Sequence, residues 1–571
     1  MLRTYRASWL RPDLIAGLVL AAILVPQGMA YAELAGLPPV TGLYTTIACL
    51  VGYACFGPSR ILVLGPDSSV SPLIFAAITP LLVAGDPTTA IALAGMMALM
   101  VGAIEVGLGL GKLGFVADLL SKEVQVGYMN GLAVTILVGQ LPKLFGFSTD
   151  ADGFVDETKA FVSGLNETNT TALLIGLATL AILLILPLVS KKVPAVLVAV
   201  VGATVVTGVF DLAAKGVATV GSLPKGLPTP AFPGVPLEHL GPLLIAAMGI
   251  VLVSLTDTIA TSTSFAARRG DEVDPNQEMI GMGVANAVAG MFQGFAISAS
   301  ASRTAVAENA GSKSQVTGLA GAATVAILLL FLPSLLQDLP QPALAAVVIA
   351  AALSLLNLKI LRTYFRMRRS ALVLSVVATL AVILLGVLQG ILIAVALSIL
   401  LFFRRSWWPH GEILGRVPEL DGWHNTDRYP DAQEVAGVVI FRWEAPLFFA
   451  NAGIFREQIR ELVRHRRPEW IVLQCEAVTD VDVTAADMLE DLDNELNDQG
   501  VHLAFVELRG RIEDLLHRYG MFATLDRSHL FPTIGMALAA IGSVDEDSDL
   551  EPGGAPQDDP PELPEVFPPA E

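Results

Sequence analysis

Two short stretches hold most of the polar chemistry in a chain that is otherwise strongly apolar. Phe295 to Thr304, reading FAISASASRT, crowds three serines and one arginine between long apolar runs. Ile61 to Ile74, reading ILVLGPDSSVSPLI, sets Asp67, Ser68 and Ser69 behind a Gly-Pro pair. An arginine at membrane depth is costly unless it faces a protein-lined cavity or a partner, so Arg303 marks a substrate or ion pathway. Serine hydroxyls and free backbone N–H groups at a helix start are donors, and the helix dipole adds partial positive charge there. In the first stretch Ile297, Ser298 and Ala299 are expected to form an extended entry, with Ser300, Ser302 and Arg303 opening a half-helix. In the second, Ile61 to Leu64 runs extended into Gly65-Pro66, and a half-helix is expected to begin at Asp67, Ser68 and Ser69. Two such starts facing each other make a site for an anion. Neither stretch has the glycines of a phosphate or dinucleotide loop.

Asp257, in SLTDTIATSTSFAARRG, lies well inside another apolar run, with Thr261 one turn further on the same face. If Asp67, Asp257 and Arg303 share one cavity, its net charge is −1 with both carboxylates ionised and zero once one is protonated. A doubly charged anion then enters more readily with a proton, and Asp257 is the group expected to carry it. The competing reading is a permanent Asp257–Arg303 ion pair that only braces helices. In the first apolar run Pro26 removes a backbone hydrogen bond, and Gln27 and Tyr31 share the face just after it. They either line the cavity or serve helix packing. Glu105, Gln140, Asn286, Gln293 and Glu308 are read as interhelical hydrogen bonds or near-interface groups, outside the site.

These groups must be placed by a membrane scaffold. Of 571 residues, 53% are hydrophobic and only 16% charged, against about a quarter charged in soluble domains. The net charge of −19 is not evidence for a basic partner, because Ser543 to Glu571 alone carries ten acidic residues and no Lys or Arg. That segment is too acidic and proline-rich to bury a core and is expected to be disordered. The cysteines Cys49, Cys55 and Cys475 have no metal or redox spacing.

Apolar runs of spanning length, about 20 residues each, lie near 13–33, 40–57, 88–110, 122–142, 170–189, 193–210, 240–263, 277–294, 315–333, 340–357, 370–386 and 388–403. With the two broken stretches, 61–82 and 294–311, they make fourteen elements. Cut after the seventh, the chain has two halves, each with its third element broken, as in inverted-repeat transporters. With the N-terminus (1–12) inside, basic clusters such as Arg268–Arg269, Arg362–Arg369 and Arg404–Arg405 also fall inside. The transport domain is thus expected over 13–405, with repeats about 13–210 and 240–405. A linker follows over 406–430, then a soluble α/β domain over 431–542 and the tail over 543–571. In the soluble part Val435–Phe441 and Trp470–Cys475 read as strands, and Asn451–Arg464 and Thr484–Asn497 as helices, the acidic run DMLEDLDNELND being a solvated face. No catalytic constellation is seen, and no enzyme activity or cofactor is expected.

PQGMAYAELAGLPPVTGLYT, GPDSSVSPL, LTDTIATSTSFAARRG with NQEMIGMGVANAVAG, and SASASRTAVAENAGSKSQ resemble the sulfate permease (SulP) family of anion transporters, and the C-terminal part resembles its STAS domain. The resemblance spans about residues 10–540. It implies a polytopic helical membrane protein with a seven-plus-seven inverted repeat, core and gate groups, an elevator-like motion, and a homodimer aided by the STAS domains. It places the anion site on Gln27, Tyr31, Asp67, Ser68, Ser300, Ser302 and Arg303 and the coupling carboxylate on Asp257; the residues themselves add Ser69 to the expected anion site and Thr261 and Ser298 to the expected ion-coupling site. An acidic Asp67 departs from the family's common neutral residue and favours coupled uptake. At the turn where related antagonists carry a phosphorylated serine this chain has Val483, which excludes phosphorylation there, with Thr484 a weak substitute.

The expected function is proton-coupled sulfate uptake in a bacterial-type plasma membrane, with both termini cytoplasmic. The alternatives are a sodium-coupled bicarbonate transporter, with Na⁺ at Asp257, Thr261 and tenth-element oxygens, a dicarboxylate transporter, and a membrane scaffold acting through its STAS domain.

Overall fold

The structure is a computed structural model that describes residues 5–82, 86–149, 151, 153–190, 193–418, 420–521 and 527–542. The acidic tail lies outside the described residues. The chain divides into two units at Leu400/Leu401.

All fourteen expected elements are present in the first unit. The first half comprises α1 (Leu10–Leu34), α2 (Pro39–Phe56), β1 (Leu64–Gly65) with α3 (Ser71–Ile78), α4 (Pro87–Leu110), α5 (Lys122–Phe145), then α6 (Phe154–Ser163) in a loop, α7 (Thr170–Val189) and α8 (Ala195–Val209). The second comprises α9 (Leu237–Ala267), α10 (Pro275–Met291), β2 (Ser298–Ala299) with α11 (Ala301–Asn309), α12 (Val316–Phe331), α13 (Gln341–Leu355), α14 (Leu358–Met367), α15 (Arg369–Leu385) and α16 (Val387–Trp407). Seven helices among the described residues are long and apolar enough to cross a membrane by themselves, and the shorter ones pack among them.

Packing repeats with the halves exchanged. The first span lies on the eleventh (α1 on α12) and the eighth on the fourth (α9 on α4); the fifth lies on the thirteenth (α5 on α15) and the twelfth on the sixth (α13 on α7). This reciprocity is what an inverted repeat requires. Two groups result: α1, α2, α4, α9, α10 and α12 enclose the broken elements, while α5, α7, α13 and α15 pack with one another. The most extensive contact among the described residues, α4 on α10, depends on glycine. A Cβ on Gly102 would stand 2.5 Å from the Gly283 carbonyl oxygen, and one on Gly283 would stand 2.7 Å from that of Gly102. Without water, helices associate through such close backbone approach rather than through hydrophobic burial.

Two helices were not foreseen. α6 lies within the long loop after α5, and α14 is a separate amphipathic helix that begins where Asn357 Oδ1 accepts the Ile360 N–H at 3.2 Å. Its Lys359, Arg362 and Arg366 broke the apolar pattern and read as a basic loop, although they recur at helical spacing.

The second unit holds β3 (Gly411–Arg416), β4 (Trp423–Asn425), β5 (Val438–Trp443), α17 (Ala452–Arg466), β6 (Trp470–Gln474), α18 (Val483–Asp498), β7 (His502–Val506), α19 (Gly510–Arg518), β8 (Leu530–Phe531) and α20 (Ile534–Ile541). The sheet order is β4-β3-β5-β6-β7-β8, with β5 to β8 parallel and β3 and β4 antiparallel. Residues 406–430 are therefore not simply a linker: Trp423–Asn425 forms the edge of the sheet and Gly411–Arg416 pairs between it and β5. VVIF in β5 is an unbroken apolar run because one cluster around Trp443, Phe455 and Leu473 covers one face and another around Ile440, Val472 and Ala537 covers the other. The acidic helix α18 is only partly solvated. Asp493 is 4% exposed, and the Arg460 and Arg456 guanidiniums hold the Glu495 carboxyl down to about 2. Asp482 caps α18 by accepting the Ala485 N–H at 2.8 Å, and Val483 stands exposed.

Candidate functional site

The two broken elements meet as a two-stranded antiparallel ladder, Leu64 opposite Ala299 and Gly65 opposite Ser298. The pairing continues where Ser300 N–H donates to the Val63 carbonyl at 3.1 Å and Val63 N–H donates to Thr304 Oγ1 at 3.1 Å. Irregular backbone at membrane depth must find partners within the protein, and side chains from the surrounding helices supply the rest. Thr45 Oγ1 accepts the Phe295 N–H at 3.1 Å, Asn286 Oδ1 that of Ile297 at 2.9 Å, and Thr258 Oγ1 that of Ala299 at 3.3 Å. Asn286 is held in turn by Glu105, whose carboxylate accepts its Nδ2 at 2.8 Å and Ser254 Oγ at 3.0 Å. Glu105, Asn286 and the Glu308–Arg269 pair at 3.2 Å thus serve as interhelical bonds.

The tenth element starts its helix as the sequence indicates. Ser300 is the N-cap of α11, its Oγ 3.5 Å from the Arg303 N–H and 3.1 Å from Ser302 Oγ. The third element does not. Asp67 closes a turn of its own, Oδ1 accepting from Ser69 N at 3.0 Å and Ser69 Oγ at 2.8 Å, and its carbonyl accepts from Ser71 N at 3.0 Å. The helix α3 begins only at Ser71, with Val70 in the N-cap position and no capping side chain.

Arg303 is 1% exposed and reaches across the ladder. Its Nη1 donates to the Pro66 carbonyl at 2.6 Å and its Nη2 to Asp67 Oδ2 at 3.2 Å, while Nε has no partner among the described residues. A Cβ on Gly65 would stand 2.7 Å from Nη1, so a glycine there lets the guanidinium lie against the backbone. Arg303 therefore pairs with Asp67, which corrects the Asp257–Arg303 brace. Ser68, beside Asp67, meets the Tyr31 hydroxyl, and Gln27 is half-buried one helical turn earlier on α1. Ser302 is exposed on the first turn of α11, next in sequence to the buried cation.

Asp257 lies beside Ser69 and within electrostatic range of Asp67, and its Oδ1 accepts from Gln125 Nε2 of α5 at 3.2 Å. The α9 hydroxyl that touches β2 is Thr258; Thr261, a turn further on, is half-buried. Ser298 is fully buried and its Oγ has no partner among the described residues. The structure thus gathers Tyr31, Asp67, Ser68, Ser69, Ser300, Ser302, Arg303 and Asp257 around one ladder. Reading the sequence missed Gln125 and Thr258. Thr258 was legible as the neighbour of Asp257, whereas nothing local distinguishes Gln125 in the first turn of a span. Two further buried acids brace this region. Glu278 binds Ser59 Oγ at 2.6 Å and the Tyr53 hydroxyl, and Asp13 accepts the Lys313 N–H at 2.7 Å and Ser314 Oγ at 2.6 Å.

The same architecture occurs in known proteins. The sulfate permease family model matches residues 10–378 and the STAS domain model residues 429–537. A probable sulfate transporter of Mycobacterium tuberculosis is 41% identical over 540 residues, 94% of this chain and 96% of the relative. Human solute carrier family 26 member 6 is 31% identical over 80% of this chain and 63% of its own length. The inward-facing structure of murine solute carrier 26 family member A9 superposes with a TM-score of 0.87 at 27% identity, covering 95% of this chain and 93% of that one. The transmembrane domain of a cyanobacterial bicarbonate transporter shares the fold, with a TM-score of 0.60 at 23% identity over 69% of this chain and 98% of that one.

Proposed function

Because this chain belongs to the sulfate permease family, we propose that it is a secondary active transporter that takes up an inorganic oxyanion, sulfate foremost, together with a proton. The observation that carries this reading is Arg303: a guanidinium 1% exposed, its Nε without a partner among the described residues, at the N-terminus of α11 beside Ser300 and Ser302. A fixed cation, hydroxyl donors and a helix N-terminus together suit a tetrahedral oxyanion. Asp67 already balances Arg303, so the second carboxylate, Asp257, leaves the empty site with a net negative charge that opposes a divalent anion. A proton on Asp257 removes that opposition, and the anion and proton enter together. Catalytic groups and cofactors have no part in this; the coupling ion is the only companion.

The two packing groups supply the motion. The group around the broken elements carries the site and slides against α5, α7, α13 and α15, exposing the ladder alternately to each side of a bacterial-type plasma membrane with both termini inside. A homodimer with STAS involvement provides the fixed frame.

Labelled sulfate uptake into proteoliposomes under imposed proton or sodium gradients tests the reading. Proton-driven uptake is expected, and Asp257→Asn should cut the gradient-driven component by about tenfold or more. Wild-type gradient dependence in Asp257→Asn would remove Asp257 from coupling. Uptake driven by sodium alone would replace the proton with Na⁺, and competition by succinate or bicarbonate would replace sulfate.

A further inference from the structure

Asp257 is gripped from outside its own packing group. It sits on α9, which packs against α3, α4 and β2, but its hydrogen-bond donor Gln125 sits on α5, which packs against α7, α13 and α15. Tyr128, one turn beyond Gln125 on the same face of α5, is fully buried, lies within electrostatic range of Asp257, and has a hydroxyl with no partner among the described residues. The remaining groups facing Asp257, namely Asp67 and Ser69, belong to its own group.

From this we infer that Gln125 and Tyr128 form the opposite half of the coupling site, with Gln125 a positioning residue that ties the ionised Asp257 to α5 and so slows the anion-carrying group whenever no cation is loaded. The inference rests on Asp257 being the coupling carboxylate. A hydrogen bond to an ionised carboxylate in a low-dielectric interior is roughly twice as strong as one between neutral groups. Sliding α9 along α5 breaks it and strands both partners. A bound cation takes up the carboxylate's charge and weakens the grip, so the loaded carrier moves fastest and the return of the empty carrier is the slow step of the cycle. The unpartnered Tyr128 hydroxyl gives the same face of α5 a second donor for that carboxylate.

The test uses full-length protein in proteoliposomes and labelled sulfate, and reads the ratio of uptake with the driving cation gradient to uptake without it. Gln125→Leu should lower this ratio by roughly tenfold, mainly by raising gradient-independent exchange, and Tyr128→Phe should lower it by a smaller factor of about three. On an Asp257→Asn background Gln125→Leu should add less than about twofold, because the two residues act through one contact. Gln125→Met, of similar length and lacking the donor, serves if the leucine variant fails to fold. A parallel fall of uptake with and without the gradient, or additive effects of the two changes, would mean that Gln125 only braces helices. A wild-type protein indifferent to every cation gradient overturns the coupling reading and this inference with it, and is told apart because the unmutated protein fails.

Discussion

The third and tenth elements occupy equivalent places in the two halves and pair strand to strand, yet they solve the same problem differently. In the tenth, Ser300 caps α11 directly and Arg303 follows within its first turn. In the third, Asp67 folds back on Ser69 and the helix waits until Ser71. Repeat symmetry has fixed where the backbones meet, while the side chains have diverged into a cation on one element and its counter-ion on the other. The ion pair crosses between the halves, so neither broken element is electrostatically complete alone. A symmetric pair of helix starts would bind an anion weakly; the asymmetric pair holds a guanidinium in a buried place where it would otherwise be prohibitively costly.

The largest effect expected from breaking this asymmetry is at Arg303. Arg303→Ala removes the only cation seen in the ladder and leaves Asp67 unpaired, and sulfate uptake should fall by about a hundredfold or more. Uptake retained within tenfold of wild type, in protein of normal thermal stability, would show that the helix starts suffice.

Asp67→Asn should act more gently and in the opposite direction. The asparagine oxygen still accepts from Ser69 and Pro66 still holds Nη1, so geometry persists while one negative charge disappears. The KM for sulfate should drop by about fivefold, read from the concentration dependence of initial uptake rates. A raised KM would show that Asp67 places Arg303 rather than balancing it.

The smallest effect separates the two helix starts themselves. Ser300→Ala loses an N-cap usually worth about 1 kcal/mol, at the low end here because the contact is long. Uptake should fall by no more than about fivefold. Ser71→Ala, whose hydroxyl has no partner among the described residues, should be nearly silent in the same assay. Equal losses at both positions would mean that the starts are functionally alike.

Much of this was legible before any coordinates. Apolar runs of spanning length are a direct consequence of bilayer thickness, and Gly-Pro and serine clusters that interrupt two of them stand at corresponding places in the halves. Ser300, Ser302 and Arg303 could be placed at a helix start because capping is a local property. The late start of α3 was not legible: Asp67 is an equally good cap and turn residue, and only its engagement by Ser69 and Arg303 decides between them. The first strands of the soluble sheet were hidden for another reason: Trp423–Asn425 is a three-residue edge strand, and Gly411–Arg416 has only two adjacent apolar residues, Ile413 and Leu414, between polar ones and glycines.

The membrane class, the fourteen spanning or broken elements and the two places where helices break are written locally, because they depend on composition and on neighbours within a few residues. Only the tertiary structure decided which charge answers which. Arg303 and Asp67 are 236 positions apart, and Gln125 and Asp257 are 132. Pairings at that separation are set by how the two halves pack, and no local pattern encodes them. Desolvation makes each such pairing matter, since a charge buried in this interior is tolerated only where the fold has brought it a partner.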